Sequence, residues 1–355
     1  MMDWSALAWR ALDEKTKPPR SLGELESLAV RLSGIQHTLA PRVDRARIAV
    51  FAADHGVTAE GVSAYPAEVT MQMVRNFLRS GAAVSALAAA NGIEVEVIDV
   101  GVVDDVRQRD PEATQLGVAF HAPRIRAGAG NIRREAAMSA DECGAAMAVG
   151  AATVARAAAD GVQVLGLGEM GIGNTTASAA VLAALLELDA ALVVGRGTGI
   201  DDDGLAHKAM VVRDALARHH VAYEGARHTA SPLDVLASLG GLELAAITGA
   251  VLAAPQHGVA VIADGFISTV AALVAVRANP PAIGHLFVAH RSAERGHTHA
   301  LAALEVPPIL DLGMRLGEGS GTALAIPILR GAAAILREMA TFASADVSPE
   351  LGART

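Results

Sequence analysis

The feature that most limits the fold of this chain is a rhythm. Short apolar runs stop on a glycine, an acid or a histidine, and most are followed by a helical pattern. The runs cover residues 47–53, 94–99, 163–167, 258–263, 285–289 and 308–310. They lead into Asp54-His55-Gly56, Asp99, Gly168-Glu169, Asp264-Gly265, His290-Arg291 and Asp311. Helical patterns occupy 68–90, 138–159, 174–188, 203–219, 233–253, 266–277 and 321–341. Alternation of this kind predicts an α/β fold, a Rossmann-like parallel sheet flanked by helices. Ligands of such sheets bind beyond the carboxyl ends of the strands, where the glycines, acids and histidines fall. The first 40 residues read as helix without a strand. Residues 1–40 plus 321–355 are therefore expected to pair as a small helical domain beside a large α/β nucleotide-binding domain over 41–320. The Arg- and Gly-rich stretch 102–136 reads as a long loop and 342–355 as a frayed tail.

Composition narrows the function classes. Among 355 residues, 29 Lys and Arg face 38 Asp and Glu, a net charge of −9. That sign argues against nucleic acid as a partner, because no basic excess is available to displace counterions from phosphates. Aromatics at 3 % leave little for a base-stacking surface. A hydrophobic share of 52 % suffices for a sizeable core. One cysteine, Cys143, rules out an internal disulfide framework and a Cys-rich zinc site. No apolar run approaches the ~20 residues of a membrane span, and Met1-Met2-Asp3-Trp4 does not open a signal peptide. The expectation is a soluble cytoplasmic protein.

The densest segment is Gly168-Glu169-Met170-Gly171-Ile172-Gly173-Asn174-Thr175-Thr176, between a strand and an Ala-rich helix. Asn174 or Thr175 is placed to cap that helix, whose free N–H groups and dipole suit a phosphate. The alternative is a plain glycine turn. A second glycine loop, Gly195-Arg196-Gly197-Thr198-Gly199, is followed by Asp201-Asp202-Asp203 and Lys208. It again reads as phosphate recognition, with the acids favouring the next helix start over a magnesium ion. Ser292 at a strand end suits an anionic ligand, and the His297/His299 pair lacks the partners of a metal site. Glu318 stands between Gly317 and Gly319 ahead of a long apolar helix. Its neighbours carry no side chains to cover it, so it reads either as a desolvated general base or as an acid favouring the helix start. Glu169 poses the same question. The pair Asp104-Asp105 lacks a phosphate-binding continuation and reads as surface loop.

Taken in order, these segments resemble the nicotinate-nucleotide–dimethylbenzimidazole phosphoribosyltransferase family. The resemblance runs through Lys17-Pro18-Pro19, Ala52-Ala53-Asp54-His55-Gly56-Val57, Tyr65-Pro66, the Gly168–Thr176 and Gly195–Gly199 segments, Asp264-Gly265-Phe266-Ile267-Ser268, His290-Arg291-Ser292-Ala293-Glu294 and Gly317-Glu318-Gly319-Ser320-Gly321-Thr322. One departure is Arg20, where the family's stretch usually has glycine. The resemblance implies transfer of 5-phosphoribose from nicotinate mononucleotide to 5,6-dimethylbenzimidazole, with inversion at C1′. It implies Glu318 as general base, Glu169 and Asp264 as acidic pocket residues, and Met170, Met73 and Leu316 against the flat base. Gly171, Gly173, Asn174, Gly197, Thr198, Lys208, Gly265 and Ser292 would surround the nucleotide. It also implies a homodimer with small-molecule substrates, and neither a metal nor a cofactor is expected. Phosphoribosyl transfer to another azole, or a nucleotide-binding module without catalysis, are the alternatives.

Overall fold

The computed structural model describes residues 2–223 and 230–348. Helices α1 (Trp4–Asp13) and α2 (Glu24–Gln36) precede strand β1 (Ala46–Ala53). Helices α3 (Val69–Leu78) and α4 (Ala83–Ala90) lead to β2 (Glu94–Gly101), and the one-turn α5 (Val106–Arg109) leads to β3 (Ala119–His121). Helix α6 (Ala140–Ala159) feeds β4 (Val164–Met170). A helical stretch follows, of α7 (Asn174–Leu186), α8 (Ala190–Val193), α9 (Asp202–Tyr223), α10 (Pro232–Leu239) and α11 (Leu242–His257). Then come β5 (Ala260–Ala263), α12 (Phe266–Ala278), β6 (Leu286–His290), α13 (Arg295–Leu304), β7 (Pro308–Leu310) and α14 (Ser320–Glu338).

The strands form one seven-stranded sheet in the order β3-β2-β1-β4-β5-β6-β7, with every pairing parallel. The order reverses between β1 and β4, which leaves a crevice beyond their carboxyl ends. Side chains alternate across the sheet. On β1, Ala49, Phe51 and Ala53 join the core under α6, α7, α11 and α12, while Ile48, Val50 and Ala52 join the core under α1 to α4 and α14. The parallel sheet flanked by helices is therefore as the sequence predicts.

The chain ends meet. Lys15 bridges to Thr341, its Nζ donates to the Met339 carbonyl at 2.6 Å, and the Phe342 N–H donates to the Glu14 carbonyl at 3.0 Å. Helices α1, α2 and α14 share their apolar cluster with Ile262 and Phe287 of the sheet. The expected frayed tail is thus anchored at its start, and residues 349–355 lie outside the described residues. Arg20 adopts φ 61°, the left-handed region where glycine fits without strain. Its guanidinium lies 3.6 Å over the Trp9 ring and 3.3 Å from Asp13, contacts a glycine would lack.

Three expectations need correction. The pattern over 68–90 is two helices, parted where Ser80 takes φ 58° and the Gly81 N–H turns back to the Asn76 carbonyl. The pattern over 233–253 also splits, at Gly240-Gly241, and continues to His257. The stretch 102–136 holds α5 and the edge strand β3, whose three residues are too few to show a period. Among the described residues no helix is long and apolar enough to cross a membrane.

Small residues let α6 and α11 approach closely. A Cβ at Gly150 would overlap the Ala246 carbonyl, and one at Gly249 the Met147 carbonyl. Gly150→Ala is expected to destabilise the fold by about 1–3 kcal/mol through overpacking, seen as a lower urea midpoint at unchanged slope.

Candidate active site

Beyond the ends of β4, β5 and β6 lies a cavity of about 700 Å³. Glu169 and Met170 close β4 and lead into Gly171-Ile172-Gly173, also on the wall. Gly173 (φ 95°) is the N-cap of α7, and no side chain caps that helix. The expected cap from Asn174 or Thr175 does not form, because both lie inside the helix, where the Asn174 Nδ2 donates to the Glu169 carboxylate and Thr175 Oγ1 accepts from Lys208. The helix start thus faces the cavity without a side-chain acceptor over it, the arrangement that suits an anion. The Ile172 N–H donates to Thr70 Oγ1 at 3.0 Å, which ties the turn to α3.

The second glycine loop also lines the cavity, through Gly197 and Thr198. Thr198 Oγ1 accepts from the Ala64 N–H at 3.0 Å and lies 3.2 Å from Ser63 Oγ. Arg315 Nη1 donates to the Gly197 carbonyl at 3.1 Å. Asp201 Oδ1 accepts from the Gly204 N–H at 2.8 Å and Asp202 pairs with Arg196, so these acids serve the start of α9. Lys208 is buried, donating to Thr175 Oγ1 at 2.7 Å. Burial lowers its pKa to about 8 against the opposing charge of Glu294. Its amine stands behind Thr175, one side chain back from the wall.

Glu318 occupies the turn before α14. Gly317, Glu318 and Gly319 all take positive φ, at 84°, 66° and 91°. Two glycines accept this freely, whereas Glu318 is a side chain held in a strained conformation by its surroundings. Part of that hold is close packing, since a Cβ at Gly168 would overlap the Glu318 carbonyl. The Glu318 N–H also donates to Glu169 Oε1 at 3.4 Å. The Glu318 side chain reaches the cavity wall, with Oε2 buried and unpartnered.

Asp264 lies beneath the wall, fully buried. Its Oδ1 accepts from Thr322 N–H at 2.8 Å and Thr322 Oγ1 at 3.1 Å, which fastens β5 to the first turn of α14. Burial, then the Asp264 charge, raises the Glu318 carboxyl to about 7. Burial, then Asp264 and Glu243, raises Glu169 to about 8. Met73, Met170, Val69 and Leu316 give the cavity an apolar flank, with Leu316 and Tyr65 half-exposed at the mouth. Ser292 and Gly265 line it as well. His297 is no metal ligand here. Its Nδ1 accepts from the Ser292 N–H at 2.7 Å and its Nε2 lies 3.0 Å from Thr269 Oγ1. Among the described residues, no group of three or more His, Cys, Asp or Glu is placed to hold a metal ion.

A phosphoribosyltransferase family model matches residues 2–347. A nicotinate-nucleotide–dimethylbenzimidazole phosphoribosyltransferase of Pseudomonas aeruginosa is 49 % identical over 336 residues, covering 95 % of this chain and 92 % of that protein. One from Chromobacterium violaceum is 50 % identical over 333 residues, covering 94 % and 92 %. This chain belongs to the nicotinate-nucleotide–dimethylbenzimidazole phosphoribosyltransferase family. The crystal structure of such an enzyme from Thermus thermophilus superposes with a TM-score of 0.89 at 45 % identity, covering 98 % of this chain and 100 % of that one.

Of the residues singled out in the sequence, this phosphoribosyltransferase brings Glu318, Glu169, Met170, Gly171, Gly173, Asn174, Gly197, Thr198, Gly265, Ser292, Met73 and Leu316 onto one cavity wall. Lys208 and Asp264 stand just behind it. Ser63, Phe266, His290, Glu294 and Arg315 also line the cavity without a role read from sequence. Each lies within or beside a segment already noted, and that adjacency is the one signal that could have found them.

Folding raises the Glu169 carboxyl from 4.5 to about 8. Its contribution to stability is therefore complete below 4.5 and is lost as pH rises toward 8. Glu169→Gln is expected to flatten the decline of unfolding free energy across that window, measured by urea titration at successive pH values. An unchanged slope would remove Glu169 as its source.

Proposed function

We propose that this phosphoribosyltransferase moves the 5-phosphoribosyl group of nicotinate mononucleotide to 5,6-dimethylbenzimidazole, giving α-ribazole 5′-phosphate and nicotinate, in assembly of the cobalamin nucleotide loop. The observation that carries the reading is the buried, unpartnered Glu318 carboxyl in a cavity that also holds an apolar flank and an uncapped helix start.

In this reading the phosphate rests against the start of α7 and the 197–198 loop, with Ser292 beside it and Lys208 supplying charge through Thr175. Met73, Met170 and Leu316 bound the slot for the bicyclic base, a contact that is apolar and undemanding in direction. One ring nitrogen of the azole attacks C1′ on the face opposite nicotinate. The C1′–N bond to nicotinate breaks with its electron pair, and the configuration inverts from β to α. Glu318 takes the proton from the other azole nitrogen, so the product leaves uncharged at the base. With its carboxyl raised to about 7, Glu318 can accept that proton and release it near neutrality. Glu169, raised to about 8, holds its proton below that pH and steadies the Glu318 backbone through its 3.4 Å contact. Positioning supplies the remainder of the rate.

The family resemblance further implies a homodimer. Exposed Leu312, on the loop leading to Glu318, is apolar surface a second copy would cover. Sedimentation would read that state directly.

Mass analysis of the products from nicotinate mononucleotide and several azoles tests the reaction itself. Glu318→Gln is expected to lower kcat about a hundredfold or more, the usual worth of a positioned base, with little change in nucleotide KM. In the wild-type enzyme kcat/KM should rise with pH through about 7 as Glu318 loses its proton, and that limb should vanish in the variant. Undiminished turnover in Glu318→Gln would take Glu318 out of the mechanism.

A further inference from the structure

Two histidines sit side by side at the β6 end of the cavity, and they differ in one respect. The His297 ring is partnered at both nitrogens, by the Ser292 N–H and by Thr269. His290, the last residue of β6, lines the cavity, is completely buried, and has no partner at either Nδ1 or Nε2. Buried polar atoms of a native protein are nearly always satisfied, and an exception on a cavity wall points to a partner that arrives with the ligand. The surroundings keep the ring edge free of side chains. A Cβ at Gly265, itself on the wall, would lie 3.2 Å from His290 Nε2, and one at Gly321 would overlap Cδ2.

The neighbours restrict what that ligand group is. Asp264 Oδ2 is buried and unpartnered, and Glu169, Glu294 and Glu318 share the same cavity wall. A second anion, such as a phosphate or a ring carboxylate, would share this wall with three carboxyl groups. An apolar ring would leave the imidazole unsatisfied. A sugar hydroxyl fits both demands, because it accepts from an imidazole N–H and donates to a carboxylate. We propose that His290 is a further substrate-contacting residue that holds a ribose hydroxyl of the phosphoribosyl group, beside the carboxyl groups of the cavity wall. The proposal rests on the phosphoribosyl-transfer reading above and adds to it the residue that recognises the sugar.

The test pairs the enzyme with its substrate. Wild type, His290→Ala and His290→Asn are assayed with nicotinate mononucleotide and with its 2′-deoxy and 3′-deoxy analogues. In wild type, removing the contacted hydroxyl should lower kcat/KM roughly tenfold or more, the worth of one well-placed hydrogen bond. His290→Ala should lose a similar factor with the full nucleotide and lose little further with that deoxy analogue. KM for dimethylbenzimidazole should stay put, and His290→Asn should regain part of the discrimination. A His290→Ala enzyme that penalises both deoxy analogues as strongly as wild type overturns the proposal. Should the alanine variant fail to fold, the asparagine variant and His290→Gln carry the same comparison. Absence of nicotinate release by wild type with every azole would strike the parent reading instead. The same comparison, read as calorimetric binding of the three nucleotides, then decides the role of His290 alone.

Discussion

Three carboxyl groups buried together without a lysine or arginine partner govern this molecule. Glu169, Asp264 and Glu318 come from the ends of β4 and β5 and from the turn before α14, and each raises the proton affinity of another or is raised by it. No lysine or arginine forms an ion pair with any of them among the described residues. Such a cluster is unfavourable to fold unless its oxygens are otherwise occupied, and both oxygens of Glu169 and one of Asp264 are. Glu169 takes the Asn174 amide and the Glu318 N–H, and Asp264 takes both donors of Thr322. The acids therefore act as turn clamps, fixing where α7 and α14 begin. Glu318 alone keeps a side chain directed to the cavity with no partner of its own.

The sheet explains why these groups meet. Parallel strands put all their carboxyl ends on one side, and reversal of strand order between β1 and β4 opens a crevice there. The apolar runs made this much legible from sequence, since a buried parallel strand is written as a continuous hydrophobic stretch. Strand β3 escaped because three residues with exposed and half-buried positions carry no period. The two long helical patterns escaped division because apolar spacing says nothing about a left-handed Ser80, or about Gly241 lying where a Cβ would meet the His55 ring.

The site was legible to the depth of its backbone. Glycines flanking an acid announce an exposed head, and Gly317-Glu318-Gly319 is such a turn, left-handed at all three residues. What sequence could not convey is depth. Lys208 and Asp264 stand behind the cavity wall, where Lys208 bonds Thr175 of the wall and Asp264 bonds Thr322 of α14. Asn174 looks like a cap and serves Glu169 instead. Arg20 shows the converse, since it accepts the left-handed backbone suited to glycine and recovers contacts with Trp9 and Asp13.

Burial acts on both ends of the cavity in opposite senses with one result. It pulls the Lys208 amine down to about 8 and pushes Glu169 up to about 8 and Glu318 up to about 7. Each group is thereby brought close to losing its charge near neutral pH. In the proposed reaction the incoming phosphate adds an anion beside Lys208 to the charge of Glu294 that it already feels, and the sugar carbon that gathers positive charge faces the carboxyl groups of the wall. The electrostatic field of the site is thus completed by the reacting molecule, most fully at the moment of displacement. Preorganised charge of this kind favours the transition state over the ground state, because a neutral occupant would leave both ends unanswered. An apolar flank is then the right companion for it, since water admitted beside Glu318 would both restore its ordinary acidity and compete with the azole for C1′.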